Sequence, residues 1–156
     1  MKEKKMKTYT EEVANKLNTI LEKNYDAKEG YKTAASNVDS KILASFFNRK
    51  ATQREEFANQ LKTELKKLAQ EPEEGGSIAG KLHRTWMNTK ALFSSNNEET
   101  MLEEAIRGEK ASLEDYDEVL NSGLYIPKAV YKVLADQKSA IAYDTVTIKR
   151  LEDIQS

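Results

Sequence analysis

Cysteine is absent from this chain of 156 residues, and the chain has two prolines, six glycines and one histidine. Without cysteine there are no disulfides, no thiolate metal ligands and no thiol chemistry. Few prolines and glycines leave room for long uninterrupted helices. Long apolar runs are also missing. The longest covers residues 140–143, far fewer than the roughly 20 residues of a membrane span.

The chain also has no excess of one charge, since it contains 25 Lys and Arg residues and 26 Asp and Glu residues. A protein that binds nucleic acid electrostatically shows a basic excess or stripe, so this balance argues against one. Residues 1–7 are basic but no apolar region follows them, which is unlike a signal peptide. We expect a cytoplasmic protein without a membrane partner, with a disordered basic tail at 1–7 and a single domain at 8–156.

The first part of the chain predicts two long helices. Thr8, with Glu11 three residues later, forms a capping box at the start of the first helix. Asp39 is the predicted N-cap of the second helix, which we expect to end near Gln70. In both helices apolar residues keep the three- and four-residue spacing of one buried face. They are Val13, Leu17, Ile20, Ala27, Tyr31, Ala34 and Val38, then Leu43, Phe47, Ala51, Ala58, Leu61, Leu65 and Leu68.

The middle of the chain, roughly residues 71–96, predicts a long connection. Pro72 and the glycine pair at 75–76 break the second helix. A short helix that ends near Ser94 follows, because three residues keep helical spacing on one apolar face. These residues are Ile78, Leu82 and Trp86.

The last part predicts two more long helices. Ser95 or Asn96 caps the first, which stops at Gly123, and Pro127 lies in the first turn of the other. Short turns within each pair of helices and a long crossover between the pairs predict an all-α, ferritin-like four-helix bundle. It consists of two antiparallel hairpins, and its crossover carries the short extra helix. The apolar stripes are Leu102, Ile106, Leu113, Tyr116 and Leu120, then Val130, Leu134, Ile141, Ile148 and Leu151.

One polar residue interrupts each long stripe near its middle: Asn24, Arg54, Glu109 and Gln137. Each lies a similar number of residues from the turn of its hairpin. At a rise of about 1.5 Å per residue, all four fall within roughly one turn of a common height. We therefore predict a buried polar layer in which Arg54 and Glu109 form an ion pair, since neither charge is buried cheaply alone. Asn24 and Gln137 are its predicted hydrogen-bonding neighbours.

Residues 46–61 resemble the second helix of a rubrerythrin or ferritin-like bundle whose metal ligands have been replaced. Such bundles hold two metals with a Glu from each of two helices and a Glu-x-x-His from each of the others. The resemblance puts Arg54 and Phe57 at one Glu-x-x-His and Asn24 at the first-helix Glu. Residues 105–109 are similar to the rubrerythrin segment around its Glu, which makes Glu109 a retained carboxylate. In the last helix, two registers stay open: Asp136 with Ser139, or Gln137 with Ala140.

The metal ligands that the resemblance implies are not available. Two Glu-x-x-His motifs need two histidines, and the one histidine, His83, lies in the crossover. Arg54 adds a cation where carboxylates are needed to neutralise metal ions. We expect no cofactor and no metal. A single metal ion at Glu109 and Asp136 is the alternative that stays open.

The chain also resembles a narrower group, the bacterial four-helix-bundle family called domain of unknown function 2383. This resemblance spans most of the chain from Leu17 to Leu151. It implies a fold and no established activity, and it makes the loss of metal ligands a property of the group. The matching pieces are Glu29, Gly30 and Tyr31, the Arg54 and Phe57 replacement, residues 80–86, residues 102–104 and residues 107–109.

Three functional hypotheses follow. The first is a non-enzymatic bundle with a structural, stress-associated or protein-interaction role, which self-associates as a homodimer by analogy with ferritin-like proteins. The second is an iron-handling protein or oxidoreductase with an atypical, histidine-poor site. The third is a small-ligand binder at His83, Arg84 and Trp86, whose simpler interpretation is packing of the crossover on the bundle. Tyr31 and Tyr116 lie on apolar stripes and are predicted core residues whose hydroxyls need a partner.

Overall fold

Four helices make up a computed structural model of the chain, which describes residues 2–68 and 98–155, with side chains at 11–68 and 98–151. They are α1 (Lys2–Asn37), α2 (Lys41–Lys67), α3 (Glu98–Leu120) and α4 (Lys128–Gln155). Residues 2–68 and 98–155 contain no strand, so the fold is all-α and compatible with a four-helix bundle. The predicted crossover helix and the caps at Ser95 and Asn96 lie outside the described residues.

The beginnings of α1 and α2 differ from the predicted positions. α1 begins at Lys2, within the segment predicted as a tail, so Thr8 lies inside the helix and is not its N-cap. Residues 2–7 are Lys, Glu and Met, which favour helix and contain no breaker. The N-cap of α2 is Ser40 and not Asp39, because the Ser40 hydroxyl accepts a hydrogen bond from the Leu43 backbone N–H at 3.2 Å.

The other helix ends lie close to the predicted ones. α2 ends at Lys67, three residues before Gln70. After α3 ends at Leu120, Gly123 adopts a φ of 80°, the left-handed conformation predicted for it. Pro127 directly precedes α4, and its carbonyl accepts the backbone hydrogen bond of Tyr131 at 2.9 Å. It therefore lies one position before the first turn, where its missing N–H costs nothing.

Two clusters of buried apolar side chains lie among the four helices. Each cluster has members on α1, α2, α3 and α4, so the helices share their core. On α1, α2 and α3 the two clusters are separated along the helix by the predicted polar residue. The first cluster includes Leu17, Phe57, Leu61, Tyr116 and Leu134, and the second includes Tyr31, Phe47, Leu102, Ala105 and Ile148.

The helices pack most extensively in two pairs, α1 with α2 and α3 with α4. Ion pairs also connect the two pairs. Lys23 on α1 lies 2.7 Å from Asp115 on α3, and Lys50 on α2 lies 2.6 Å from Asp144 on α4. Among the described helices, none has both the length and the apolar character that crossing a membrane requires.

Candidate functional site

Arg54 and Glu109 form an ion pair at the centre of the fold, as predicted. Nη2 of Arg54 lies 2.9 Å from Oε1 of Glu109, and their side chains are only 1% and 0% exposed. The two residues come from α2 and α3, and each lies on the buried face of its helix. A guanidinium and a carboxylate buried at this depth stabilise one another only as a pair, since either alone loses its hydration without replacement.

The Arg54 guanidinium binds two further side chains. Nη1 donates to Oδ1 of Asn24 at 2.7 Å, and Nη2 also donates to Oγ of Ser112 at 3.1 Å. Burial by itself lowers the pKa of Arg54, but the charge and hydrogen bond of Glu109, together with the Tyr116 and Tyr31 hydroxyls, outweigh it and raise the pKa above the ordinary value. The guanidinium is therefore a permanent positive charge that connects α1, α2 and α3.

Positive charges lie near both oxygens of Glu109, but among the described residues only Oε1 accepts hydrogen bonds. The Tyr31 hydroxyl donates to Oε1, and Lys50 Nζ lies 3.8 Å from Oε2. Burial by itself raises the pKa of Glu109. The charges of Arg54 and Lys50 and the Tyr31 hydrogen bond reverse that effect, so the pKa lies below its usual range and Glu109 is ionised.

Lys50 extends the polar layer from Glu109 toward α4. Its side chain is 4% exposed, and Nζ donates to Asp144 Oδ2 and to Gln53 Oε1, both at 2.6 Å. Nζ also lies 5.6 Å from the centre of the Tyr31 ring. Burial lowers the pKa of Lys50, although the Glu109 and Asp144 carboxylates partly offset this. Asp144 is 17% exposed, so this branch ends near the surface.

Gln137 belongs to the other branch of the layer. The Tyr116 hydroxyl donates to Gln137 Oε1 at 2.6 Å and accepts from Asn24 Nδ2 at 3.1 Å. Gln137 Nε2 donates to the Phe57 carbonyl at 3.2 Å and to Gln60 Oε1 at 2.9 Å. Burial raises the pKa of Tyr116 to about 12, so its hydroxyl stays protonated and able to donate.

The register of α4 is the one that puts Gln137 inside. Gln137 is 1% exposed, whereas the Asp136 side chain is 66% exposed and pairs with Lys132 at 2.7 Å. Glu109 and Asp136 are therefore not brought together, and the single-metal alternative that required both does not fit this arrangement. Phe57 is buried in the first apolar cluster and contributes its carbonyl, not its ring, to the layer.

The chain was compared with known proteins. The family model described as Domain of unknown function (DUF2383) matches residues 12–122, which is well over half of the chain. The chain belongs to the DUF2383 family. The matched region contains Asn24, Arg54 and Glu109. No curated protein and no solved structure matches the chain.

Several residues of the DUF2383 layer were missed by sequence reasoning. Lys50 and Ser112 lie one helical turn from Arg54 and Glu109, on the same buried faces. That spacing is a signal that could have found them. No such spacing indicated Asp144. It is the only charged residue in its stretch of α4, and an aspartate in that setting is expected to be exposed to solvent. Gln53 and Gln60 are the other members that were missed.

The charges of this DUF2383 layer balance, since Arg54 and Lys50 face Glu109 and Asp144. Among the side chains that the structure describes, at 11–68 and 98–151, no three His, Asp or Glu residues group together as a metal site would require. The layer is thus a network of charge-assisted hydrogen bonds, which rigidifies a core, although Nε of Arg54 and Oε2 of Glu109 have no hydrogen-bond partner in it. His83, Arg84 and Trp86 lie outside the described residues.

Proposed function

We propose that this DUF2383 domain is a ferritin-like bundle that lacks a di-metal site and acts in the cytoplasm as a structural, stress-associated or interaction protein. The observation that carries the proposal is the 2.9 Å contact between Arg54 Nη2 and Glu109 Oε1. Arg54 and Glu109 are at the positions where the ferritin-like pattern has two of its ligating carboxylates. Arg54 is a permanent cation that neutralises the carboxylate of Glu109. In a ferritin-like bundle with a di-metal site, the metal ions neutralise the carboxylates.

The contacts support the two-hairpin arrangement of such a bundle. Asn24 meets Arg54 and Tyr31 packs on Phe47, so α1 and α2 run in opposite directions. The Tyr116 hydroxyl on α3 donates a hydrogen bond to Gln137 on α4, and only a short connection joins these two helices. We therefore infer that α3 and α4 also run in opposite directions. The long crossover predicted between the two hairpins lies outside the described residues.

Metal binding is disfavoured by the donors that already hold Glu109. Oε1 accepts from Arg54 and Tyr31, and Lys50 Nζ is 3.8 Å from Oε2. A divalent cation in this space would meet two fixed positive charges, and repulsion at such distances is strong where water is excluded. Ions of this class also need several carboxylate oxygens, and Glu109 is the one carboxylate at the centre of the described layer.

Metal analysis of the purified protein tests the proposal. We expect protein produced in iron-rich medium to carry well under one equivalent of iron or manganese. Adding ferrous iron and air should give no absorption typical of an oxo-bridged iron pair. Iron bound at the buried layer should be lost in Glu109→Gln. Asp136→Asn is the matched control, because it should lose only iron that is bound at the surface. Two equivalents of metal that Glu109→Gln removes and Asp136→Asn retains would contradict the proposal in favour of an iron-handling function.

A further inference from the structure

The outer face of α4 carries a regular stripe of exposed residues. Successive members are four, three, four, three and four residues apart, so they form one line along the side of the helix that faces away from the core. Tyr143 is 74% exposed and Val146 is 54% exposed, large values for apolar side chains on a helix. The stripe consists of Lys132, Asp136, Ser139, Tyr143, Val146 and Arg150.

The centre of this stripe is uncharged. A third of the chain is charged, yet from Ser139 to Ile148 the only charged residue is Asp144, which pairs with Lys50. The exposed centre therefore consists of Ser139, Ala142, Tyr143 and Val146. A contiguous uncharged patch with charged ends is typical of a protein-interaction surface.

The charged residues that flank the uncharged centre, Asp136 and Arg150, are opposite in sign and symmetrically placed, and Asp136 also lies 2.7 Å from Lys132 on its own helix. Asp136 lies seven residues before Tyr143, and Arg150 lies seven residues after it. At about 1.5 Å per residue, each is ~10.5 Å from Tyr143 along the helix. A second α4 in antiparallel orientation, centred on Tyr143, places each Asp136 opposite the other copy's Arg150. A parallel orientation would place like charges opposite each other.

We propose that two copies of this chain associate through the outer face of α4, antiparallel, about a two-fold axis at Tyr143. The same patch serves both partners, as in an isologous dimer. The two Tyr143 rings cover each other, each Val146 lies near the partner's Ser139, and two identical Asp136–Arg150 pairs flank them. This inference deepens the interaction role proposed above by naming the partner, a second copy, and the surface.

Sedimentation equilibrium tests the surface. We expect a concentration-dependent mass that approaches twice the 17.7 kDa of one chain. Tyr143→Glu puts a buried charge on the two-fold axis and should give a monomer at every concentration. Tyr125→Glu is the matched control, because Tyr125 is 80% exposed and lies outside α4; it should dimerise like the natural chain. Helical circular dichroism confirms that both variants fold.

Charge reversal tests the orientation. Asp136→Arg alone and Arg150→Asp alone place like charges opposite each other in the dimer, and each should weaken it by about tenfold at low salt. The double variant restores two opposite pairs and should regain most of the affinity. A separate readout uses the absence of cysteine: Ala142→Cys should form an intermolecular disulfide under mild oxidation, whereas Tyr125→Cys should not.

A monomer at all concentrations would overturn the proposal, and so would a dimer that Tyr143→Glu leaves intact. Failure of rescue by the double charge reversal would overturn the antiparallel orientation. None of these results changes the metal content, which depends on the buried layer. Failure of the dimer and failure of the proposed metal-free function are therefore separate outcomes.

Discussion

Glu109 is the residue on which the polar layer depends. It is 0% exposed; its Oε1 accepts hydrogen bonds from Tyr31 on α1 and Arg54 on α2, and Lys50 Nζ lies 3.8 Å from its Oε2. A carboxylate this deep stays ionised only where donors and opposite charges replace its hydration. The pairing with Arg54 was predictable from matched heights on two helices. The contribution of Lys50 was missed although its spacing of one turn from Arg54 puts it on the buried face of α2, because a lysine among polar neighbours is usually solvated.

Tyr31→Phe should destabilise the protein by about 1.5–3 kcal/mol, the usual range for a hydrogen bond to a charged group. The substitution keeps the ring that packs on Phe47 and removes only the hydroxyl that donates to Glu109. Urea denaturation measures the free energy of unfolding. Tyr125→Phe is the control and should change it very little, because Tyr125 is 80% exposed. Equal effects from the two substitutions would show that the Tyr31 hydroxyl does not support Glu109.

Asp26 should make stability fall as pH rises from about 4 to about 7. It is 4% exposed on α1, and burial raises its pKa from 3.8 to about 7, against the opposing effect of Lys23. Between these two values the folded chain keeps a proton that the unfolded chain has lost. The free energy of unfolding therefore decreases across this window and the loss is complete above it.

Thermal unfolding of Asp26→Asn checks this prediction. The variant cannot lose a proton, so its melting temperature relative to the natural chain should rise between about pH 4 and about pH 8. Asp136→Asn is the control, since the Asp136 side chain is 66% exposed. A constant difference between Asp26→Asn and the natural chain at both pH values would exclude this role of Asp26.

At the scale of the helices, the sequence predicted the four long helices and their buried faces well, because apolar residues at three- and four-residue spacing specify which side is buried. The ends were less predictable. Asp39 and Ser40 are both good N-caps, and only the local backbone decides between them. The register of α4 was ambiguous for a similar reason, since Asp136 and Gln137 are adjacent polar residues about 100° apart around the helix.

Gln137→Ala should cost about 2 kcal/mol, because it removes the acceptor of the buried Tyr116 hydroxyl and a side-chain donor to the Phe57 carbonyl. Asp136→Ala, one residue away on the same helix, should stay within about 0.5 kcal/mol of the natural chain. Urea denaturation of the two variants compares them directly. A larger loss from Asp136→Ala would mean that α4 is rotated by one residue relative to this structure.

At the scale of the whole molecule, two apolar clusters share four helices, and on three of these helices a buried polar residue separates them. An all-apolar core of the same shape would be easier to stabilise, since a buried ion pair contributes little net stability. We infer that its effect is on specificity, because any other register of the helices would leave Arg54 or Glu109 buried without its partner. The central claim is therefore that the layer is a coupled unit.

A double-mutant cycle on Arg54 and Glu109, followed by urea denaturation, tests that claim most directly. Arg54→Met and Glu109→Gln should each cost about 3–5 kcal/mol, because each strands a buried partner. Glu109→Gln should cost more, since it removes the partner of Arg54 and one partner of Lys50. The double variant should recover much of the loss, giving a coupling energy of about 2 kcal/mol or more. Losses that simply add in the double variant would contradict the account.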